Sequence, residues 1–266
     1  MKSIFKFILK YYLKYLTKYV LMIHRPTIVA IAGSTNKTFV KDEINRRLRE
    51  AGLTVRSNPR SFNTEIGLPL AILGLPSGFN TYRAWLPIIW QTAKTVLVVD
   101  FPRFLVLELG VSDPGDMKYL LSIIEPDITV ITDITQRYLE GFADMDELIG
   151  EYQLLAASIK EPGLLVLNND NRRVKELENL TLGRIVTFGL TEGADWRAVS
   201  VNKSIIGQSF DIVTAAGNTH ESIKRYGEHH LYAALAGEII KNYVAEETKN
   251  SAARLEPEEI RQPVIS

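Results

Sequence analysis

Apolar residues in this chain fall into short runs separated by stretches of helical periodicity. Thr27–Ala32 (TIVAIA), Phe104–Leu109 (FLVLEL), Ile128–Thr132 (ITVIT), Leu164–Leu167 (LLVL) and Ile185–Phe188 (IVTF) are the runs. Their brevity and their branched residues predict strands buried on both faces. Helical patterns lie between them at Lys37–Ala51, Met117–Ile124 and Met145–Ile159, with a shorter one at Arg172–Leu180 and a last one at His229–Val244. Strands alternating with helices predict an α/β fold, a mostly parallel sheet covered by helices. Residues 196–216 predict a small antiparallel element turning at Gly207. Glu246–Ser266 is polar and proline-punctuated, which predicts a tail or linker.

Before the first run, residues 2–23 predict a basic amphipathic helix. Lys2, Lys6, Lys10, Lys14 and Lys18 recur every fourth residue. Each such step advances about 40° beyond a full turn, so the lysines form one broad stripe. Ile4, Phe5, Ile8, Tyr12, Tyr15, Leu16, Tyr19 and Ile23 supply an apolar and aromatic face. Two readings stay open: a helix lying on the inner face of a membrane, or one packed on its own domain or on another chain. Trp85, Ile88, Ile89 and Trp90 form a second apolar cluster in a proline-interrupted segment, which either joins that membrane contact or packs against the first helix. The expected division is 1–25, basic helix; 26–245, main domain; 246–266, tail.

Charge sharpens this division. The 266 residues carry 31 basic and 31 acidic side chains, yet the first acid is Asp42 and eight basic residues precede it. The remaining 23 basic and 31 acidic residues leave a body of net charge −8. A body without a basic field gives nucleic acid no footprint, so no nucleic-acid partner is expected. The chain has no cysteine, which excludes disulfides, thiolate zinc sites and cysteine nucleophiles. A cytoplasmic location is expected, with peripheral contact on the inner membrane through residues 2–23.

Chemistry concentrates after the first predicted strand, in Gly33-Ser34-Thr35-Asn36-Lys37-Thr38. A strand, a tight loop and a Lys-Thr pair opening a helix form a phosphate cradle. Backbone amides face the anion, the lysine reaches the terminal phosphates and the hydroxyl reaches Mg²⁺. Asn36 stands where such loops carry a glycine, and asparagine tolerates left-handed angles better than most residues. The other reading of the same residues is a plain capped helix start. Asp100, closing Val96–Val99, reads as a turn or cap residue. His24 and His220 read as surface residues.

Further motifs continue in order: Asn63-Thr64-Glu65-Ile66-Gly67-Leu68-Pro69, Leu107-Glu108-Leu109-Gly110 with Asp113-Pro114-Gly115-Asp116, Tyr138-Leu139-Glu140-Gly141-Phe142, Asn168-Asn169-Asp170 and Gly227-Glu228-His229-His230. With the loop, this series resembles the P-loop-type central ATP-binding domain of the Mur ligases from about Pro26 to Tyr243. Within that family it is most similar to the branch that adds D-alanyl-D-alanine to UDP-muramoyl tripeptide.

The resemblance implies an ATP-dependent acid–amino acid ligase of peptidoglycan precursor synthesis, with ATP and Mg²⁺ as cofactors. It implies that Lys37 and Glu65 are catalytic, Lys37 on the terminal phosphates and Glu65, with Asn63, near the transferred one. Gly33 to Thr38 would cradle the nucleotide, Thr38 and Glu108 would hold Mg²⁺, and Asn168, Asp170 and His229 would border the nucleotide. The implied partners are a muropeptide-like carboxylate, an amino acid or dipeptide amine, and a separate chain supplying the family's outer domains. With Asn36, five departures accompany it. Tyr138 stands in place of a metal-binding histidine, and Tyr152 in place of a lysine that is carbamylated to hold a second magnesium. His230 and Ala233 replace asparagines near the adenine. They support the alternative of a degenerate, non-catalytic nucleotide-binding or scaffold protein at a membrane.

Overall fold

The computed structural model describes residues 3–59, 61–78, 82–95 and 100–255. Residue 2 and Val96–Val99 lie outside them. The predicted runs become strands β1 (Thr27–Ala32), β3 (Phe104–Glu108), β4 (Ile128–Ile131), β5 (Leu164–Asn168) and β6 (Arg184–Gly189). They join β2 (Val55–Ser57), β7 (Trp196–Ser204), β8 (Gly207–Thr214) and β9 (Gly217–Ile223) in one sheet, ordered β2-β3-β1-β4-β5-β6-β7-β8-β9. Pairing is parallel from β2 to β7 and antiparallel across β7, β8 and β9. The antiparallel element is therefore larger than predicted. It gains β9 and continues the main sheet through β6 and β7.

Alternation along each strand loads both faces. Val29 and Ile31 join Val106, Val130 and Val166 on one face, covered by α2 (Lys37–Glu50) and α8 (Glu228–Leu255). Ala30 and Ala32 join Leu105, Leu107, Leu165 and Leu167 on the other. That face is covered by α3 (Gly67–Leu73), α5 (Asp116–Leu121) and α6 (Met145–Ser158). The short α7 (Arg172–Lys175) follows β5. α8 runs ten residues past the boundary drawn at 245, to Leu255. The segment 246–255 is thus helical, and residues 256–266 lie outside the described residues.

The N-terminal helix α1 (Ser3–His24) packs on the body. Leu9, Leu13 and Val20 are buried with Leu70 and Leu73 of α3 and with Trp85 and Ile88 of α4 (Tyr82–Thr95). The Tyr12 hydroxyl donates to the Ile89 carbonyl at 3.1 Å. The expected apolar face therefore splits. Phe5, Tyr12 and Leu16 turn toward the body, whereas Ile4, Ile8, Tyr15, Tyr19 and Ile23 stay exposed with Phe7, Tyr11 and Met22. The second cluster divides likewise: Trp85 and Ile88 join the core, and Trp90 stays 68% exposed. His24, expected at the surface, is half-buried and stacks on Phe101 with ring centroids 4.5 Å apart. His220 is exposed and pairs with Asp211 at 2.7 Å. Asp100 is exposed, outside any element.

Candidate functional site

Strand order places the site. From β1 the chain leaves toward β2, and from β4 it leaves toward β5 on the other side. Their carboxyl ends open a crevice, the position where parallel sheets bind ligands. The loop 33–38 leaves β1 there and Thr132–Asp133 leaves β4 opposite it. Gly33 has φ 140°, and a Cβ on it would lie 2.1 Å from Thr132 Oγ1. No other residue fits that approach.

Asn36 takes the left-handed conformation, φ 63°, and caps α2 without a side-chain bond to its amides. The first turn of α2 carries no acidic side chain. This helix start thus has free amides and a partial positive charge, the features that attract an anion. Lys37 is buried and donates to the Gly33 carbonyl at 2.6 Å, as a lysine folded back over its own loop. Burial pushes its ammonium below the ordinary lysine range, against the opposing pull of Glu108 and Asp133. The Tyr138 ring sits 5.3 Å from the Lys37 ammonium.

Thr38 and Glu108 meet. The threonine hydroxyl donates to Glu108 Oε2 at 3.1 Å. The Asn63 amide lies 3.4 Å from Glu108 Oε1, and the Lys41 ammonium lies 3.9 Å from Oε2. Asn58, which the sequence reading did not single out, clamps the Glu108 backbone. It donates to the Glu108 carbonyl and accepts from its amide, both at 2.9 Å. A hydroxyl and a carboxylate on adjacent elements are hard oxygen donors that fit one Mg²⁺ completed by phosphate and water. Among the described residues no cluster of three or more histidines and carboxylates could hold a metal.

Asp133 is a second residue that sequence reasoning missed. Its Oδ1 accepts from the Thr35 amide at 2.6 Å. Its Oδ2 takes the Thr35 hydroxyl and, at 3.3 Å, the Asn36 amide. A buried carboxylate thus satisfies part of the loop that would otherwise face a phosphate. Tyr152 is buried below the loop, where burial raises its hydroxyl pKa and Ser34 is a hydrogen-bond partner. Both tyrosines of the departures therefore lie against the loop.

The other predicted residues lie elsewhere. Glu65 pairs with Lys6 of α1 at 3.2 Å. Asn168 is buried at the end of β5 and accepts from the Asp170 amide at 3.0 Å. Asp170 accepts from the Leu190 amide at 2.6 Å and the Tyr232 hydroxyl at 2.9 Å, and binds Thr191. Burial alone would raise its pKa, but these donors hold it below the usual carboxylate range. Its oxygens tie the strand end to the loop after β6 and to α8. His229 packs on Phe39 of α2, ring centroids 4.5 Å apart, and on His230 at 4.2 Å. Burial, with His229 and Arg225, lowers the His230 pKa. A cleft of about 460 Å³ opens beside Phe39 and His230, lined by Asp42, Arg46 and Arg225.

Comparison with known proteins adds a family to this geometry. The model of the Mur ligase middle domain matches residues 86–240. The chain is 26% identical over 215 residues to the UDP-N-acetylmuramoyl-tripeptide–D-alanyl-D-alanine ligase of Buchnera aphidicola subsp. Baizongia pistaciae. That alignment covers 80% of this chain and 42% of the relative. The Bacillus subtilis ligase of the same name is 27% identical over 209 residues, 79% of this chain and 39% of its own. The MurF ligase of Thermotoga maritima, solved in complex with ADP, superposes with a TM-score of 0.70 at 22% identity, covering 88% of this chain and 49% of that one. Acinetobacter baumannii MurF gives 0.70 at 18% identity, covering 88% and 46%. The chain thus spans less than half the length of these relatives, and the loop 33–38 precedes the stretch the family model matches. With more than half of its residues in that match, the chain belongs to the Mur ligase middle-domain family.

Proposed function

We propose that this chain is the nucleotide-binding module of an ATP-dependent acid–amino acid ligase of the Mur type. The observation that carries the reading is the meeting of Lys37, Thr38 and Glu108 at the crevice between β1 and β4. Phosphoryl transfer asks mainly for positioning and charge neutralisation, and these residues supply both. Lys37 leaves the Gly33 carbonyl to contact the terminal phosphates, while amides 36–38 take the phosphate oxygens, those of Ser34 and Thr35 being held by Asp133. Thr38 and Glu108 would hold Mg²⁺, which neutralises phosphate charge. Asn58 and Asn63 orient Glu108. The cleft beside Phe39 and His230 offers an aromatic wall to a base.

In the reaction, an oxygen of a muropeptide-like carboxylate attacks the terminal phosphorus, and the bond to the leaving ADP breaks. An amine, from an amino acid or a dipeptide, then displaces phosphate from the acyl carbon and loses its proton to solvent or a base. The carboxylate and amine sites belong to further domains, supplied by more of the chain or by a partner. This assigns the protein to peptidoglycan precursor synthesis, with cytoplasmic substrates. Glu65 acts at the transferred phosphate only after leaving Lys6.

A second reading is favoured by Tyr138 and Tyr152, which offer no carboxylate or imidazole to a second magnesium. It keeps nucleotide binding without turnover. Isothermal titration with ATP and Mg²⁺ tests the first requirement of both. Lys37→Ala removes a charge-assisted contact of about 1.5–3 kcal/mol, so ATP affinity should fall roughly tenfold or more. Equal binding by wild type and variant, or none by either, overturns the site. Release of phosphate from ATP by the complete enzyme, dependent on a carboxylate substrate, then separates ligase from scaffold.

A further inference from the structure

We infer that the outer face of α1 docks the protein onto an anionic lipid surface. One face of this helix is already used, with Leu9, Leu13 and Val20 closed against α3 and α4. A second apolar stripe lies on the opposite side and is exposed. Ile4, Phe7, Ile8, Tyr11, Tyr15 and Met22 are all exposed along it, Ile4 at 75% and Phe7 at 62%. Phe7, Tyr11 and Tyr15 form a ladder at four-residue steps, with ring centroids 4.8 Å and 6.5 Å apart. Isolated exposed apolar residues are ordinary, but a continuous row along a helix marks an interaction surface.

Charge decides the occupant. Lys6, Lys10, Lys14 and Lys18 run beside the stripe, and α1 contains no acidic residue. Lys10 and Lys14 pack over the Tyr119 ring, the nearer ammonium 3.8 Å from its centroid, so that side of α1 faces α5. Among the described residues Lys6 pairs with Glu65 and Lys14 donates to Ser122 Oγ at 2.6 Å, while Lys18 is exposed. An apolar aromatic strip edged by cations fits the boundary between anionic headgroups and acyl chains, where tyrosine and tryptophan concentrate. None of the described helices is long and apolar enough to cross a bilayer, so the contact lies on the surface.

Removing α1 would not test this, because it would uncover the core beneath it. The full chain should instead be sedimented with vesicles of phosphatidylcholine alone and of phosphatidylcholine with phosphatidylglycerol, at low and high salt. Wild type should pellet with the anionic vesicles, less at high salt, and stay soluble with the neutral ones. Phe7→Ser with Tyr15→Ser touches exposed side chains only and should keep the wild-type melting curve. It should weaken vesicle binding at least about tenfold, and Lys18→Glu at least about fivefold. Failure of wild type to pellet, or equal pelleting by the variants, overturns the inference. So does a light-scattering mass showing that the face pairs two copies and that Phe7→Ser with Tyr15→Ser separates them. Nucleotide binding is read separately, so this test and that of the ATP site fail independently.

Discussion

Asp133 sets a negative charge against a loop whose amides suit a phosphate. In the structure it serves the loop, bonding the Thr35 amide at 2.6 Å. Toward ATP it is a like charge, at an expense of about 1 kcal/mol for partly screened charges several ångströms apart. Asp133→Asn keeps an acceptor for the Thr35 amide and removes the charge. ATP should then bind several-fold more tightly by titration calorimetry, and unchanged affinity would show that the carboxylate turns away on binding. Asp170 gives a pH prediction. Its folded pKa is depressed, so it contributes stability above its unfolded value, near pH 4, and loses it as pH falls through the lower folded value. Asp170→Asn should lower Tm by a few degrees at pH 7 and flatten the stability profile below about pH 4. The loop, Thr38 and Glu108 were singled out in the sequence by the motifs that carry the resemblance, and the structure brings Thr38 and Glu108 together. Asp133 was not, because its partner Thr35 lies 98 positions away, in the loop that follows another strand. Nor was the Glu65 pairing, which depends on where α1 docks.

At the scale of elements, α1 belongs to the folded body. Leu13 is fully buried, so Leu13→Ala should cost about 2–5 kcal/mol. The urea midpoint of the whole chain should fall accordingly. A separate early transition in the variant alone would instead show α1 peeling away by itself. The sequence read the alternation of strands and helices well, since runs such as TIVAIA leave few alternatives. It missed β2, three residues long, and β9, whose GNTHESI has no apolar alternation. It missed α3 because GLPLAIL is apolar all round, so it has no polar face to set a period. It missed α4 because Pro87 stands inside that helix. In α1 it recognised amphipathicity but drew one apolar face where there are two, one closed on the body and one exposed.

At the scale of the molecule, Arg47 joins the parts. From α2 its guanidinium reaches Glu43 at 2.7 Å, and it binds Glu221 of β9 and Glu238 of α8. Burial opposes its charge, but these carboxylates win and raise its pKa. Arg47→Ala would leave three carboxylates facing one another, so a loss of about 3–5 kcal/mol is expected in urea unfolding. A smaller loss would mean that water replaces the guanidinium. β9, which this hub anchors, is also the last strand of the sheet. Its outer rim of amides and carbonyls is a template on which another chain could add a strand. What stands along that rim is Asn218, Thr219, His220, Glu221 and Ser222, with no large apolar side chain until Ile223. The same polar run that hid β9 from the hydrophobic pattern leaves an incoming strand little apolar surface to bury, and so guards the protein against stacking into fibres.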